Sequence, residues 1–412
     1  MLALTLGTDD LTVAPAAPQG WTFAAGDRLI GTVVRRAPIV SPEAIVTLAL
    51  RGGLKIMLAN QSSTRLVSSD GPRPAGFCAV NRQLLIPKPI ELFQGSLDLA
   101  EPSEPLSWPF EIEIPSMPDE PTHSKEMALS PYHEALIRGP LPASFITTGY
   151  GAFASCWIEY YLEATLHYTY GGKRESCTST HTIKIRPPAF RKFSSFGTQV
   201  SNIESSVRSF HLLPGKENSG LSLLQKKRAF FGSSKVPQFD YKLEITAPER
   251  IQLNNTTPIP IKLKCFRLED ADTTDQKDFT PKIWLTAAKM SIRSKTDVYR
   301  DDSPPDLPHG SRESSHDLGL DWAMESNDPQ GFKLEIPMGE KSEPLDIGET
   351  LQLSLHENGL KAGTKHLKPT LLISPDFDAI YIKHSNRLEM EFLVTVAGLT
   401  ERMIWWGDVT LL

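Results

Sequence analysis

Long apolar runs are missing from this chain of 412 residues. No stretch reaches the roughly 20 uninterrupted apolar residues that a bilayer-spanning helix needs. The opening MLALTLGTDDLTV has neither a basic start nor a long apolar core, so no secretory leader is read and a cytoplasmic protein is expected. Cysteine is scarce as well. Cys78, Cys156, Cys177 and Cys265 are far apart and form no CxxC pair, which excludes a zinc ribbon and a disulfide-dense scaffold. A basic excess is lacking too: 43 bases against 49 acids give a net charge of -6, which argues against a generally basic nucleic-acid binder.

Catalytic signatures are equally sparse. There is no GxSxG elbow, no GxxxxGK[ST] phosphate loop, no HExxH and no EF-hand loop. His133-Glu134 and His356-Glu357 lack a second His at helical spacing and read as surface pairs. Asp301-Asp302 falls in a segment with nothing to bury, where no scaffold could fix the separation of two carboxylates, and Asp376-Asp378 reads as a turn cap. No cofactor, metal or enzymatic activity is expected. Sequons at Asn60, Asn254 and Asn255 read as loop asparagines.

What the chain does have is proline and alternation. Proline accounts for 33 of 412 residues, against an average of about 5%, and recurs between short segments rich in Ile, Val, Thr and Tyr. From Trp157 to Tyr168, Ile158, Tyr160, Leu162, Ala164 and Leu166 fall on one side, while Glu159, Glu163 and His167 fall on the other. That is the period of a half-buried strand. Gly171-Gly172 then turns the chain toward Ser179, His181, Ile183 and Ile185, predicting a hairpin. In that hairpin Cys177 faces about residue 166, which puts Cys156 about 33 Å further along the strand and rules out a bridge between the two thiols. The same alternation appears at Leu29-Gly31-Val33, at Phe110-Ile112-Ile114 and, most clearly, at Leu388-Met390-Phe392-Val394-Val396.

Repeated short strands with Pro/Gly-rich joins predict an all-β chain of sandwiches or barrels, and 412 residues exceed what one core usually holds. A boundary is placed after Ile185. Residues 1–186 form one sandwich, 187–236 a Ser/Lys-rich linker, and 237–412 a second sandwich that restarts the pattern at Tyr241-Leu243-Ile245, Ile259-Ile261-Leu263 and Ile283-Leu285. Within the second, residues 300–317 read as a mobile insertion; residues 61–76 read as a similar loop, and 126–137 and 221–231 could each hold a short helix.

Several of these segments, in this order, resemble the arrestin-like family. Gly26-Asp27 with Leu29-Ile30-Gly31-Thr32-Val33 and the strand from Ile45 to Leu50 look like the opening of its N-terminal domain. Gly139-Pro140-Leu141-Pro142-Ala143-Ser144-Phe145 before Ile158-Glu159-Tyr160 resembles the later turn that leads into a long strand. Leu243-Glu244-Ile245-Thr246-Ala247-Pro248, Ile259 to Leu263, and Pro375-Asp376-Phe377 leading to Leu388 resemble the C-terminal domain. The resemblance implies two tandem immunoglobulin-like β-sandwiches acting as a non-enzymatic adaptor. In the alpha-arrestin branch, such adaptors link cytoplasmic tails of membrane transporters or receptors to WW-bearing ubiquitin ligases through Pro-Pro-x-Tyr motifs and promote endocytosis, with recruitment to the plasma membrane or endosomes and peripheral membrane association. No full motif is present here. Pro187-Pro188-Ala189-Phe190 comes nearest, with Phe in place of Tyr, so Pro187, Pro188 and Phe190 are the candidate partner-binding residues, with a rigid strand exit as their structural reading.

Read as structure, Pro142 holds Leu141 extended and delivers Phe145 to a core. Gly31 marks a close backbone approach or a bulge. Trp405-Trp406 puts adjacent indoles on opposite faces of a strand, so at most one is expected in the core, with the other at a partner surface or between domains. Lys226, Lys227 and Arg228 form a short basic run within the linker, and Ser303-Pro304 is an accessible phosphorylation candidate. An enzyme or small-ligand carrier using a pocket between two sandwiches is the alternative to the adaptor.

Overall fold

The computed structural model describes residues 10–59, 77–85, 88–99, 105–117, 141–148, 153–186, 196–213, 216, 222–223, 225, 236–268, 281–299, 308–327, 333–369, 372–379 and 381–412. The fold is all-β, as expected, and divides into two compact units. Among the described residues, no helix is long and apolar enough to cross a membrane.

The strands of the N-terminal part are β1 (Leu11–Pro15), β2 (Thr22–Phe23), β3 (Arg28–Arg35), β4 (Ile39–Ala59), β5 (Phe77–Leu85), β6 (Ile90–Leu99), β7 (Leu106–Glu113), β8 (Phe145–Thr148), β9 (Phe153–Tyr170) and β10 (Lys173–Ile185). One sheet runs β1-β3-β7. The other runs β2-β10-β9-β4-β5, with β6 on β4 and β8 on β9. Their apolar faces enclose one core in which Leu48, Ile56, Tyr160, Leu162 and Leu166 are fully buried. The predicted hairpin is present, and Cys177 lies opposite Leu166. Cys156, Cys177 and Cys265 are all free thiols.

Two local readings are explained by this core. A Cβ at Gly31 would lie 2.4 Å from the Phe110 ring and 2.6 Å from the Ala14 carbonyl oxygen, so only glycine lets β1 and β7 close on β3 there. In the turn before β8, Leu141 is buried, the Tyr160 hydroxyl donates to the Pro142 carbonyl at 2.7 Å, and Phe145 meets Phe377 edge-on at 4.9 Å.

The second set comprises β11 (Thr198–Arg208), β12 (Gln238–Pro248), β13 (Arg250–Ile251), β14 (Lys262–Arg267), β15 (Ile283–Val298), β16 (Gly310–Asp317), α1 (Leu320–Asn327), β17 (Leu334–Glu335), β18 (Leu345–Asp346), α2 (Ile347–Leu351), β19 (Leu353–His356), β20 (Gly359–Ala362), β21 (Lys365–His366), β22 (Phe377–Ala379), β23 (Ile382–Val396) and β24 (Leu399–Leu411). Here the sheets run β11-β12-β14-β18, β13-β24-β23-β15-β16 and β19-β20-β21, with β17 on β15 and β22 on β23. The side chains expected to alternate into a core do so: Tyr241, Leu243, Ile245, Leu388, Met390, Phe392, Val394 and Val396 are buried together.

Three expectations are corrected. Residues 187–236 are not all linker, because Thr198–Arg208 forms β11 and pairs with β12 along its whole length. Its half-buried side includes Gln199, Ser201 and Ser205, so the apolar alternation that marks a strand is lost even though the ladder is made. Residues 300–317 are not wholly an insertion, since Gly310–Asp317 forms β16 beside β15. Half-buried Arg312, Ser314 and His316 alternate with exposed neighbours, and polar contacts hold them: Arg312 donates to Thr147 Oγ1 at 2.8 Å, and Ser314 and His316 lie 3.2 Å apart. The two units are also not consecutive halves. The first comprises Met1–Ala189, Thr296–Arg312 and Phe377–Lys383; the second comprises Phe190–Lys295, Glu313–Asp376 and His384–Leu412.

Candidate functional site

A polar surface depression lies in the first unit, where β4 begins and the β9–β10 hairpin ends. Pro42 and Glu43 interrupt the β4–β6 register between Ser41 and Ala44, as expected for a proline that cannot donate to a ladder. Buried Ser41 repairs the break: its hydroxyl donates to the Glu43 carbonyl at 2.6 Å and accepts from the Thr169 amide at 3.0 Å. The result is a depression of about 210 Å³ lined by Glu43, Ala44, His167, Tyr168, Arg174 and Glu175, among others. The Tyr168 hydroxyl donates to Glu175 at 3.0 Å, while Glu43, His167, Arg174 and Glu175 are all exposed. Burial and the Glu175 contact push the phenol of Tyr168 up.

Beside Tyr168, on β3, Arg35 is a buried guanidinium. It donates from Nε to the Ala37 carbonyl at 3.1 Å and from Nη1 to Cys177 Sγ at 3.6 Å, and lies 3.9 Å from Asp10. Burial raises the thiol of half-buried Cys177, and Arg35 partly opposes that shift. Cys156 and Cys265 are pushed up to about 12 by burial, so both are inert core thiols at neutral pH.

The second unit contains a buried polar cluster. The Asn386 amide donates to Asp376 Oδ1 at 2.5 Å and to the Ser374 carbonyl at 3.0 Å, and Ser294 donates to Asn386 Oδ1 at 2.7 Å. Asp376 also brackets β24, donating from its amide to the Leu411 carbonyl at 2.9 Å and accepting from the Leu411 amide at 3.3 Å. Burial raises the Asp376 carboxyl to about 6 against the pull of these donors, and burial lowers His384 nearby to about 4. Asp378, two residues on, is exposed. His356 corrects the surface-pair reading. It is buried, with Nε2 3.2 Å from Ser354 Oγ and Nδ1 3.2 Å from Asn254 Oδ1. Its partner is 102 residues away in sequence, a relation that spacing cannot reveal. Among the described residues, no group of three or more His, Cys, Asp or Glu side chains could hold a metal ion.

Trp405 and Trp406 divide as expected, being 4% and 62% exposed. Arg387 lies over the outer Trp406 ring at 4.7 Å. Pro187, Pro188 and Phe190, the residues singled out for partner binding, lie outside the described residues, as do His133, Glu134, Asp301, Asp302, Lys226, Lys227 and Arg228. The depression escaped sequence reasoning because its residues come from three strands; the one local signal was Pro42 inside a strand. No family model matches the chain, and no curated protein matches it. What the fold defines is an all-β protein of sandwich-like sheets.

Proposed function

We propose that this chain is a non-enzymatic adaptor of the arrestin-like kind, linking cytoplasmic segments of membrane transporters or receptors to ubiquitination, endocytosis or signalling machinery. The observation that supports this reading is the depression bounded by Glu43, His167, Arg174 and Glu175. Its volume of about 210 Å³ is below the roughly 300–1,000 Å³ typical of small-molecule pockets, and suits one or two side chains of a peptide. Opposite charges on its rim fix direction: Arg174 takes an acidic side chain of the tail and Glu43 a basic one. Its lining residues lie on the hydrogen-bonded strands β4, β9 and β10, so a tail docks on a preformed surface and does not have to order the protein.

The test is binding of labelled transporter-tail and receptor-tail peptides to the purified chain, repeated with Arg174→Glu, alongside proximity labelling in the native cell. Tail binding weakened about tenfold by Arg174→Glu, with transporters and ubiquitin ligases enriched among labelled proteins, is the expected result. Absence of both classes from the labelled set sinks the adaptor reading.

A further inference from the structure

β24 is paired with β23 along Leu399–Val409, but on its other side β13 meets only Thr410 and Leu411. The amides of Thr410 and Leu412 donate to Glu249 and Ile251 on that second side, and the Asp408 carbonyl accepts there from Gln199 Nε2 at 2.9 Å. Backbone groups alternate sides along a strand, so Arg402, Ile404 and Trp406 direct their N–H and C=O groups to the same side. Among the described residues, no strand pairs with them there. The same residues place their side chains on the solvent face, where Ile404 is 44% and Trp406 62% exposed. Natural sheets usually blunt such an edge with charge, proline or a cover.

The open stretch fits itself. It begins after the Ala397-Gly398 turn and ends where β13 starts at Thr410, so its midpoint is Ile404. An antiparallel copy centred there sets Ile404 against Ile404, Trp406 against Arg402 and Thr400 against Asp408 of the second chain. Those pairs are apolar with apolar, guanidinium with indole, and hydroxyl with carboxylate. The turn of the second copy falls level with Thr410, where β13 begins, so the pairing ends at Thr400 and Asp408, short of β13. We propose that β24 is a homodimerisation edge, in which two copies of this chain pair their β24 strands about a two-fold axis through Ile404, making about six backbone hydrogen bonds.

The test combines light scattering with cross-linking on the full chain. The weight-average mass of the wild type doubles as concentration rises through the micromolar range, and Ile404→Lys, a solvent-face change, abolishes the doubling while leaving the melting temperature in place. Directly opposed residues in an antiparallel hydrogen-bonded pair have Cα atoms about 5.5 Å apart, within disulfide range. Ile404→Cys therefore forms an intermolecular disulfide on mild oxidation well above the wild-type background, and Arg402→Cys, about 13 Å from its own copy, does not. This second variant keeps the question decidable if Ile404→Lys misfolds. A mass that never rises assigns the edge to a strand of another protein and overturns self-pairing. So do a dimer that survives Ile404→Lys, cross-linking of Ile404→Cys no greater than wild type, or cross-linking of Arg402→Cys as fast as that of Ile404→Cys.

Discussion

The two long hairpins, β9–β10 and β23–β24, are built alike and finished differently. In each, a two-residue parallel strand secures the end of the last strand: Thr22–Phe23 against Lys184–Ile185, and Arg250–Ile251 against Thr410–Leu411. In each, a residue just before a short strand brackets the same strand from the other side. Ser144 donates its amide to the Ile185 carbonyl and accepts from the Ile185 amide through its hydroxyl; Asp376 does both for Leu411. Ser144 is followed by Phe145 and β8, and Asp376 by Phe377 and β22. The chain thus uses one clamp twice, once with a neutral hydroxyl and once with a carboxylate. The edges diverge as well. Counting six residues back from the parallel strand, Thr178 of β10 corresponds to Ile404 of β24, and Thr180 to Trp406. At these two positions one strand carries hydroxyls and the other apolar side chains.

The largest effects test whether both hairpins form the centre of their own core. Phe392→Ala on β23 should cost about 3–5 kcal/mol and Leu162→Ala on β9 about 2–5 kcal/mol, read by chemical denaturation. A loss under 1 kcal/mol at either site would break the equivalence.

Next come the clamps. Asp376 holds its proton more tightly folded, at about 6, than unfolded, at 3.8, so its contribution is fully present below 3.8 and is lost as pH rises through 6. Asp376→Asn should therefore raise stability by about 1–2 kcal/mol at pH 7.5, with the gain vanishing at acid pH. His384 has the opposite sign. It is lowered from 6.5 to about 4, so its contribution is present above 6.5 and is lost as pH falls toward 4. Because Asp376 offsets that loss in the wild type, Asp376→Asn should also steepen acid denaturation between pH 6.5 and 4, measured by thermal melts across pH. The hydroxyl clamp responds otherwise: Ser144→Ala should cost about 1 kcal/mol at every pH. A pH-dependent Ser144→Ala would contradict the contrast.

The smallest expected effect concerns the edges. Grafting Thr178→Ile with Thr180→Trp onto β10 should confer weak, concentration-dependent association, visible by light scattering only at high concentration because Arg174 and Lys173 still flank the edge. Association as strong as that of β24 would show that the apolar pair alone is enough.

Much of this construction was legible in the sequence. Gly171-Gly172 and strict alternation set the β9–β10 register, proline before Ser144-Phe145 set the turn, and Trp405-Trp406 divided as strand geometry requires. The failures share a physical cause, a polar interior. β11 turns Ser205 toward Glu401, which also accepts from the Tyr241 hydroxyl at 3.3 Å, and β16 turns Ser314 and His316 inward. A strand whose buried side is made of serine, glutamine and histidine has no hydrophobic period to read. The clamps escaped notice because each joins residues at least 35 apart, Ser144 to Ile185 and Asp376 to Leu411.

The composition of the first unit bears on how the chain is made. Val298, Ala379, Tyr381 and Ile382 are part of its core, although most of that core is encoded before Ala189. Between Ala189 and Lys383 the ribosome must add roughly 190 residues, which at 5–20 residues per second takes about 10 to 40 s. During that interval the nascent first unit exposes the apolar surface those four side chains will cover. Nascent chains arrested near residue 295 should therefore be cut faster by protease within β9 and β10 than chains arrested after residue 383, and should depend more on chaperones.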